Sequence, residues 1–186
     1  MARQLAVFCC VTLCALLGAC SQIALNQENA SSKGVITQYQ QGSGLFNDAR
    51  RRIFRGVASI SDAQTLKQSS ELADARARAE VQGLIQDYFT AGSKHYIAAA
   101  SRAGESVNDL SISHDIAQLT RNNAPGIRIT ARWVDKRTAM HWSIAELDLQ
   151  RLAANIDQSQ DITPGFRTYL NQQHQILFDQ LSGDKK

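Results

Sequence analysis

Ile127-Arg128-Ile129-Thr130-Ala131-Arg132-Trp133-Val134, then a polar turn opening at Asp135-Lys136-Arg137-Thr138, then Met140-His141-Trp142-Ser143-Ile144-Ala145, is the stretch that decides the fold class. In its first half Ile127, Ile129, Ala131 and Trp133 alternate against Arg128, Thr130, Arg132 and Val134. In its second half Met140, Trp142 and Ile144 alternate against His141, Ser143 and Ala145. A period of two belongs to strands with unlike faces. Two such strands joined by a short polar turn predict an antiparallel hairpin.

Upstream, Arg52 to Ile60 alternates in the same way, with Phe54, Gly56, Ala58 and Ile60 on one side. Ser61-Asp62-Ala63-Gln64 has the pattern of a capping box, so a helix is expected to begin there. Leu66, Ser70, Ala73, Ala77, Val81, Leu84 and Tyr88 then recur every three or four residues, which predicts one long amphipathic helix. Asp74 with Arg78 and Arg76 with Glu80 read as ion pairs on its outer face. Gly92 leaves two readings open: the helix ends there, or it continues toward Gly104. Asp109 to Asn122 reads as extended chain mixed with a short helix, closed by a turn at Asn122-Asn123-Ala124-Pro125-Gly126.

Downstream, Leu149, Leu152, Ala153 and Ile156 predict a short helix. Thr163-Pro164 opens a last one, with the stripe Phe166, Leu170, Gln173, Leu177 and Leu181. The order strand, long helix, hairpin, helices predicts an α+β domain. Its helices pack on one face of a small antiparallel sheet, with an added C-terminal helix.

The chain begins differently. Arg3 precedes an apolar run from Leu5 to Leu17, and Gly18 and Ala19 stand before Cys20. Positive end, apolar middle and small residues are the parts of an export signal. The run is shorter than the ~20 residues that span a bilayer. Leu17-Gly18-Ala19-Cys20 resembles the bacterial lipobox. That resemblance implies cleavage before Cys20, lipidation of its sulfur and acylation of its new amino group, where a plain secretory signal would be cut without lipid. Each buried acyl CH2 adds about 0.8 kcal/mol of membrane affinity. Ser21 after the cysteine resembles outer-membrane sorting rather than inner-membrane retention.

Cys9, Cys10, Cys14 and Cys20 are the chain's four cysteines, so a mature chain keeps Cys20 alone and has no disulfide or cysteine-ligated metal. Removing Arg3 from 20 basic residues leaves 19 against 17 acidic, a net +2 that gives no argument for nucleic acid. The expected layout is a signal peptide at 1–19, a lipidated flexible tether at 20–49, one α+β domain at 50–182 and a tail at 183–186. Within the tether, residues 38 to 44 read as flexible by composition. Arg50-Arg51-Arg52 is either a contact for anionic headgroups or a solvated edge.

No catalytic constellation emerges from the residues. His95, His114, His141 and His174 sit in four different elements, without the spacing of a helical zinc motif. No Gly-x-Ser-x-Gly elbow occurs, and Gly42-Ser43-Gly44 lacks the lysine of a phosphate loop. Glu146 and Asp148 share one strand face and read as a solvated edge in preference to an acid–base pair. Neither a metal, a cofactor nor a small-molecule substrate is expected. Arg128, Thr130 and Arg132, with His141 across the hairpin, form the candidate partner-binding face, weighed against the ordinary polar side of a half-exposed sheet. Trp133 and Trp142 read as core.

A lipobox, a polar tether, the strand Gly56-Val57-Ala58-Ser59, the alanine-spaced run Leu72 to Glu80, and Trp133-Val134-Asp135 before Trp142 occur together. Over roughly residues 50 to 155 this resembles the LPP-twenty lipoprotein family. The family comprises membrane-associated surface antigens and flagellum-associated outer-membrane lipoproteins that build a disc around the motor. The resemblance carries no catalytic residue. It implies a non-enzymatic outer-membrane lipoprotein, its domain facing the periplasm, that meets a protein partner or copies of itself. The alternative is a regulator reaching across the periplasm to a cell-wall synthase or secretion machine.

Overall fold

Alternation in the sequence becomes an antiparallel sheet in the computed structural model, which describes residues 37–48, 50–61 and 65–183. Strands β1 (Gly44–Asp48), β2 (Arg51–Ile60), β3 (Arg128–Asp135) and β4 (Met140–Asp148) lie in the order β1-β2-β4-β3, every pair antiparallel. Helices α1 (Leu66–Arg102), α2 (Asp109–Asn123), α3 (Leu149–Gln158) and α4 (Pro164–Gly183) complete an α+β fold. The expected fold class, with its C-terminal helix, is the observed one.

The sheet begins earlier than the tether reading allowed. Gly44 to Asp48 pair with Arg55 to Arg51 along the edge of β2, and residues 37–41 are helical. Ser43 extends the pairing with its side chain, its Oγ accepting from Val57 N at 3.0 Å. Composition misled here: glycine and polar residues also suit a short edge strand, where only one side needs backbone partners. The unit that holds the sheet starts at Gln41, not at residue 50. The export signal, Cys20, the proposed capping box at Asp62 to Gln64 and the last three residues lie outside the described residues.

Helix α1 begins at Thr65, whose Oγ1 accepts from Gln68 N. Leu66, read as part of the buried stripe, is 76% exposed because it sits in this first turn. Ala73, Ala77, Val81, Ile85, Tyr88 and Phe89 form the buried face. The helix can lie close to the sheet at Gly56, where a Cβ would overlap the Ala77 carbonyl oxygen and stand 2.8 Å from Glu80 Cβ. Gly92 does not end it. A Cβ there would sit about 3 Å from Leu170 and Leu177 of α4, so the glycine serves helix packing, and α1 runs on to Arg102. Gly104, at φ +77°, turns the chain out, with Glu105 N donating to Ala100 O.

The stretch read as partly extended is the continuous helix α2, capped by Asn108. Its polar buried positions hid the period. Asp115 accepts from Thr163 N, and Asn123 accepts from Asn155 of α3 while donating to Leu119 O. Buried polar groups of this kind are tolerated because each is hydrogen-bonded.

Helices α1 to α4 lie on the Phe54 side of the sheet. Phe54 meets Tyr88 and Phe178 edge to face at 5.4 and 5.2 Å, and Ala145, Leu147, Leu152, Phe166 and Leu170 close the same core. Burial, with the nearby Tyr169, pushes the Tyr88 phenol well above its ordinary pKa, and its hydroxyl donates to His174 O. No helix among the described residues is long and apolar enough to cross a membrane.

Candidate functional site

The β3–β4 hairpin, where the candidate partner-binding residues lie, contains a bulge that rearranges them. Ile129 faces Ala145, but Ala131 faces Ile144, so Thr130 is the extra residue between. A bulge of one residue exchanges the faces of everything beyond it. Arg128 pairs with Glu146 on the face opposite Phe54, whereas Arg132 pairs with Ser143 on the helix-covered face. Direct antiparallel partners share a face. The expected Arg128, Thr130, Arg132 patch therefore does not exist as one surface. His141 is buried beside Ile60 and Val134 on the helix-covered side, and its Nδ1 has no hydrogen-bond partner.

Arg132 is committed to α1. Its Nε and Nη2 donate to Asp74 at 3.0 and 2.6 Å, and Ser143 Oγ donates to Asp74 Oδ1 at 2.5 Å. Asp74, read as an outer-face residue, thus points at the sheet and ties the helix to both hairpin strands. Burial raises its pKa, but hydrogen bonds from Arg132 and Ser143 and the charges of Arg132 and Arg78 prevail and hold it below the ordinary carboxylate value.

The opposite face carries a second buried charge. Arg55 Nε donates to Glu146 Oε1 at 2.9 Å, both side chains less than a tenth exposed, and the Arg55 guanidinium lies 4.5 Å from the centre of the Phe46 ring. Gln41 Oε1 accepts from Arg55 Nη1, and Arg51 reaches Glu146 at 3.8 Å. Glu146 is structural, not the solvated edge expected of it. Asp148 is structural too: it accepts from Arg51 and caps α3 through Gln150 N. Trp133 and Trp142 are cross-strand partners on this same face and are half-buried, outside the main core.

The arginines of the β1–β2 turn diverge. Arg52 turns to the helix side and forks onto Asp179 of α4 through Nε and Nη2, both at 2.7 Å, while Arg51 turns the other way to Asp148. The Arg52 hydrogen bonds lower the Asp179 pKa against the opposing effect of burial. Arg50 to Arg52, Asp148, the start of α3 and the middle of α4 surround a cavity that periodicity alone does not reveal, because its residues come from the β1–β2 turn, β2, β4, α3 and α4. His95 and His114 are exposed on α1 and α2 and His174 is on α4, so the histidines do not converge. Among the described residues, no group of three or more His, Cys, Asp or Glu is placed to hold a metal ion. No protein-family model matches the chain, and no curated protein matches it.

Proposed function

We propose that this chain is a non-enzymatic outer-membrane lipoprotein, anchored through acyl chains on Cys20, whose α+β domain serves as a structural or protein-interaction module of the cell envelope. The observation that carries the reading is Leu17-Gly18-Ala19-Cys20 after an apolar run with no acidic residue. The resemblance to the LPP-twenty family adds the expectation of self-assembly or a protein partner, with a flagellum-associated role as one setting. The domain would face the periplasm. Of the four candidate partner-binding residues, only Arg128 and Thr130 remain exposed and uncommitted to the Asp74 clip, so they are the ones retained.

The alternative, a regulator reaching across the periplasm, drew on a tether of residues 20–49. With β1 inside the sheet, the stretch before the domain runs only from Cys20 to about Gln40, at most ~70 Å fully extended. That favours a partner close to the membrane.

Two measurements on the full chain test the proposal. Labelled palmitate should be incorporated, and Cys20→Ala should abolish the label and release the protein from the outer-membrane fraction. Retention of Cys20→Ala in the membrane would sink the anchor. Sedimentation of the detergent-extracted protein should give a large discrete assembly for a self-assembling module, and a stoichiometric complex for one with a separate partner. A monomer that co-purifies with nothing would overturn the module.

A further inference from the structure

We propose that the end of the domain formed by the β3–β4 turn and the first two turns of α1 rests on a lipid surface, to which it presents Lys136, Arg137, Leu66, Leu72 and Val134. The inference rests on the lipid anchor at Cys20 and adds the orientation in which the anchored domain meets the membrane.

Register brings these residues together. Ile60, the last residue of β2, lies beside His141, and His141 faces Val134, so the turn at 136–139 projects past the end of β2. Helix α1 approaches the same end as its numbers fall, from Ala77 at Gly56 to Asp74 at Ser143. Leu66 opens the helix ~12 Å farther in that direction. Of the five large apolar side chains that stand exposed among the described residues, Leu66, Leu72 and Val134 are therefore gathered here. On the other face of the hairpin, next to Val134 and His141, are the half-buried rings of Trp133 and Trp142. Tryptophan, with an apolar body and a polar N–H, suits the depth of lipid headgroups.

Charge distinguishes this end from the opposite one. Around the β1–β2 turn, Arg51 and Arg52 are bound by Asp148, Glu146 and Asp179. Lys136 and Arg137 are exposed and form no salt bridge among the described residues. Asp135 turns back on its own turn, where its Oδ1 accepts from Arg137 N at 2.9 Å. Exposed cations beside exposed apolar side chains match the chemistry of an anionic lipid interface.

The path of the chain selects a lipid surface over a second copy. Ser43, bonded to Val57 N, marks where the chain enters the sheet, in the half of β2 that ends at Ile60. An anchor at Cys20 pulls on the domain from this end.

Trp133 and Trp142 are the chain's two tryptophans, so their emission reads this end alone. The full lipidated chain is reconstituted into vesicles of phosphatidylethanolamine and phosphatidylglycerol, with and without brominated acyl chains. About twofold quenching by the brominated lipid is expected. Lys136→Glu combined with Arg137→Glu, in an exposed turn, should remove most of it. Leu66→Asp should do the same, at an exposed first-turn position where an acidic side chain suits the helix dipole. Circular dichroism checks that both variants keep the fold. Flotation with the vesicles separates the two readings: a chain that floats without quenching overturns the orientation and leaves the anchor standing, whereas a chain that does not float overturns both. Equal quenching in the unsubstituted chain and both folded variants would overturn the surface. Emission that shifts with protein concentration, without quenching by brominated lipid, would assign this end to a second copy instead.

Discussion

On the face of the sheet that packs against α1, Asp74 comes from α1 and meets Ser143 and Arg132 from two strands; on the opposite face, Glu146 and Arg55 come from adjacent strands and meet each other. Both carboxylates are engaged by arginine, yet they do different work. Asp74 joins two layers, and its arginine keeps more than half of its side chain in water. Glu146 joins strands within one layer, and both partners have left water. An ion pair with a wet partner is lost at modest cost, whereas removing one member of a buried pair strands a charge. The contrast locates the fragile point of the fold on the face opposite Phe54.

Glu146→Ala should be the largest lesion, about 4 kcal/mol in urea unfolding, because Arg55 is left buried without its carboxylate. A cost under about 1 kcal/mol would mean that Arg55 finds water or Gln41 instead, and the distinction between the faces would fall. Gly56→Val tests the covered face by crowding it. Its side chain would collide with backbone of α1 at Ala77, so about 3 kcal/mol is expected.

Asp74→Ala follows at about 2 kcal/mol, since Ser143, fully buried, loses its acceptor. Arg132→Ala alone should cost about 1 kcal/mol, and the double variant little more than Asp74→Ala, a coupling that a double-mutant cycle reads directly. Asp74 also sets an acid response. Its pKa is depressed by folding, so its contribution is complete above the ordinary carboxylate value near 4 and is lost as pH falls through the lower folded value. Stability measured from about pH 5 down to pH 2 should therefore decline less in Asp74→Asn than in the unsubstituted chain. The smallest effect belongs to Arg128→Ala, exposed at the start of β3, which should stay within about 0.5 kcal/mol while weakening any partner that uses the face opposite Phe54. Unchanged partner capture would remove Arg128 from the interface.

Much of this fold was legible in advance, and the misses have identifiable causes. β2, α1, the hairpin, α3 and α4 follow from periodicity, because their buried positions carry apolar side chains at intervals of two or of three and four. β1 was missed because an edge strand needs no alternating pattern, and α2 because Asp115 and Asn123 occupy buried positions. The candidate site fared worse. Alternation from Ile127 to Val134 is unbroken on paper, so nothing in it signals the extra residue at Thr130 that sends Arg128 and Arg132 to opposite faces.

The sequence by itself determined the fold class and the helix-packing side of β2, and it carries the Leu17-Gly18-Ala19-Cys20 motif on which the proposed anchor rests, since each depends on local spacing or on a contiguous run. Tertiary structure alone decided what the charges do. Whether Asp74 faced water, Glu146 was buried or Arg50 to Arg52 shared a cavity with α3 and α4 depended on which distant residues met. Local spacing sets which way a side chain points from its own element, but its partner is set by register and packing between elements far apart in the chain.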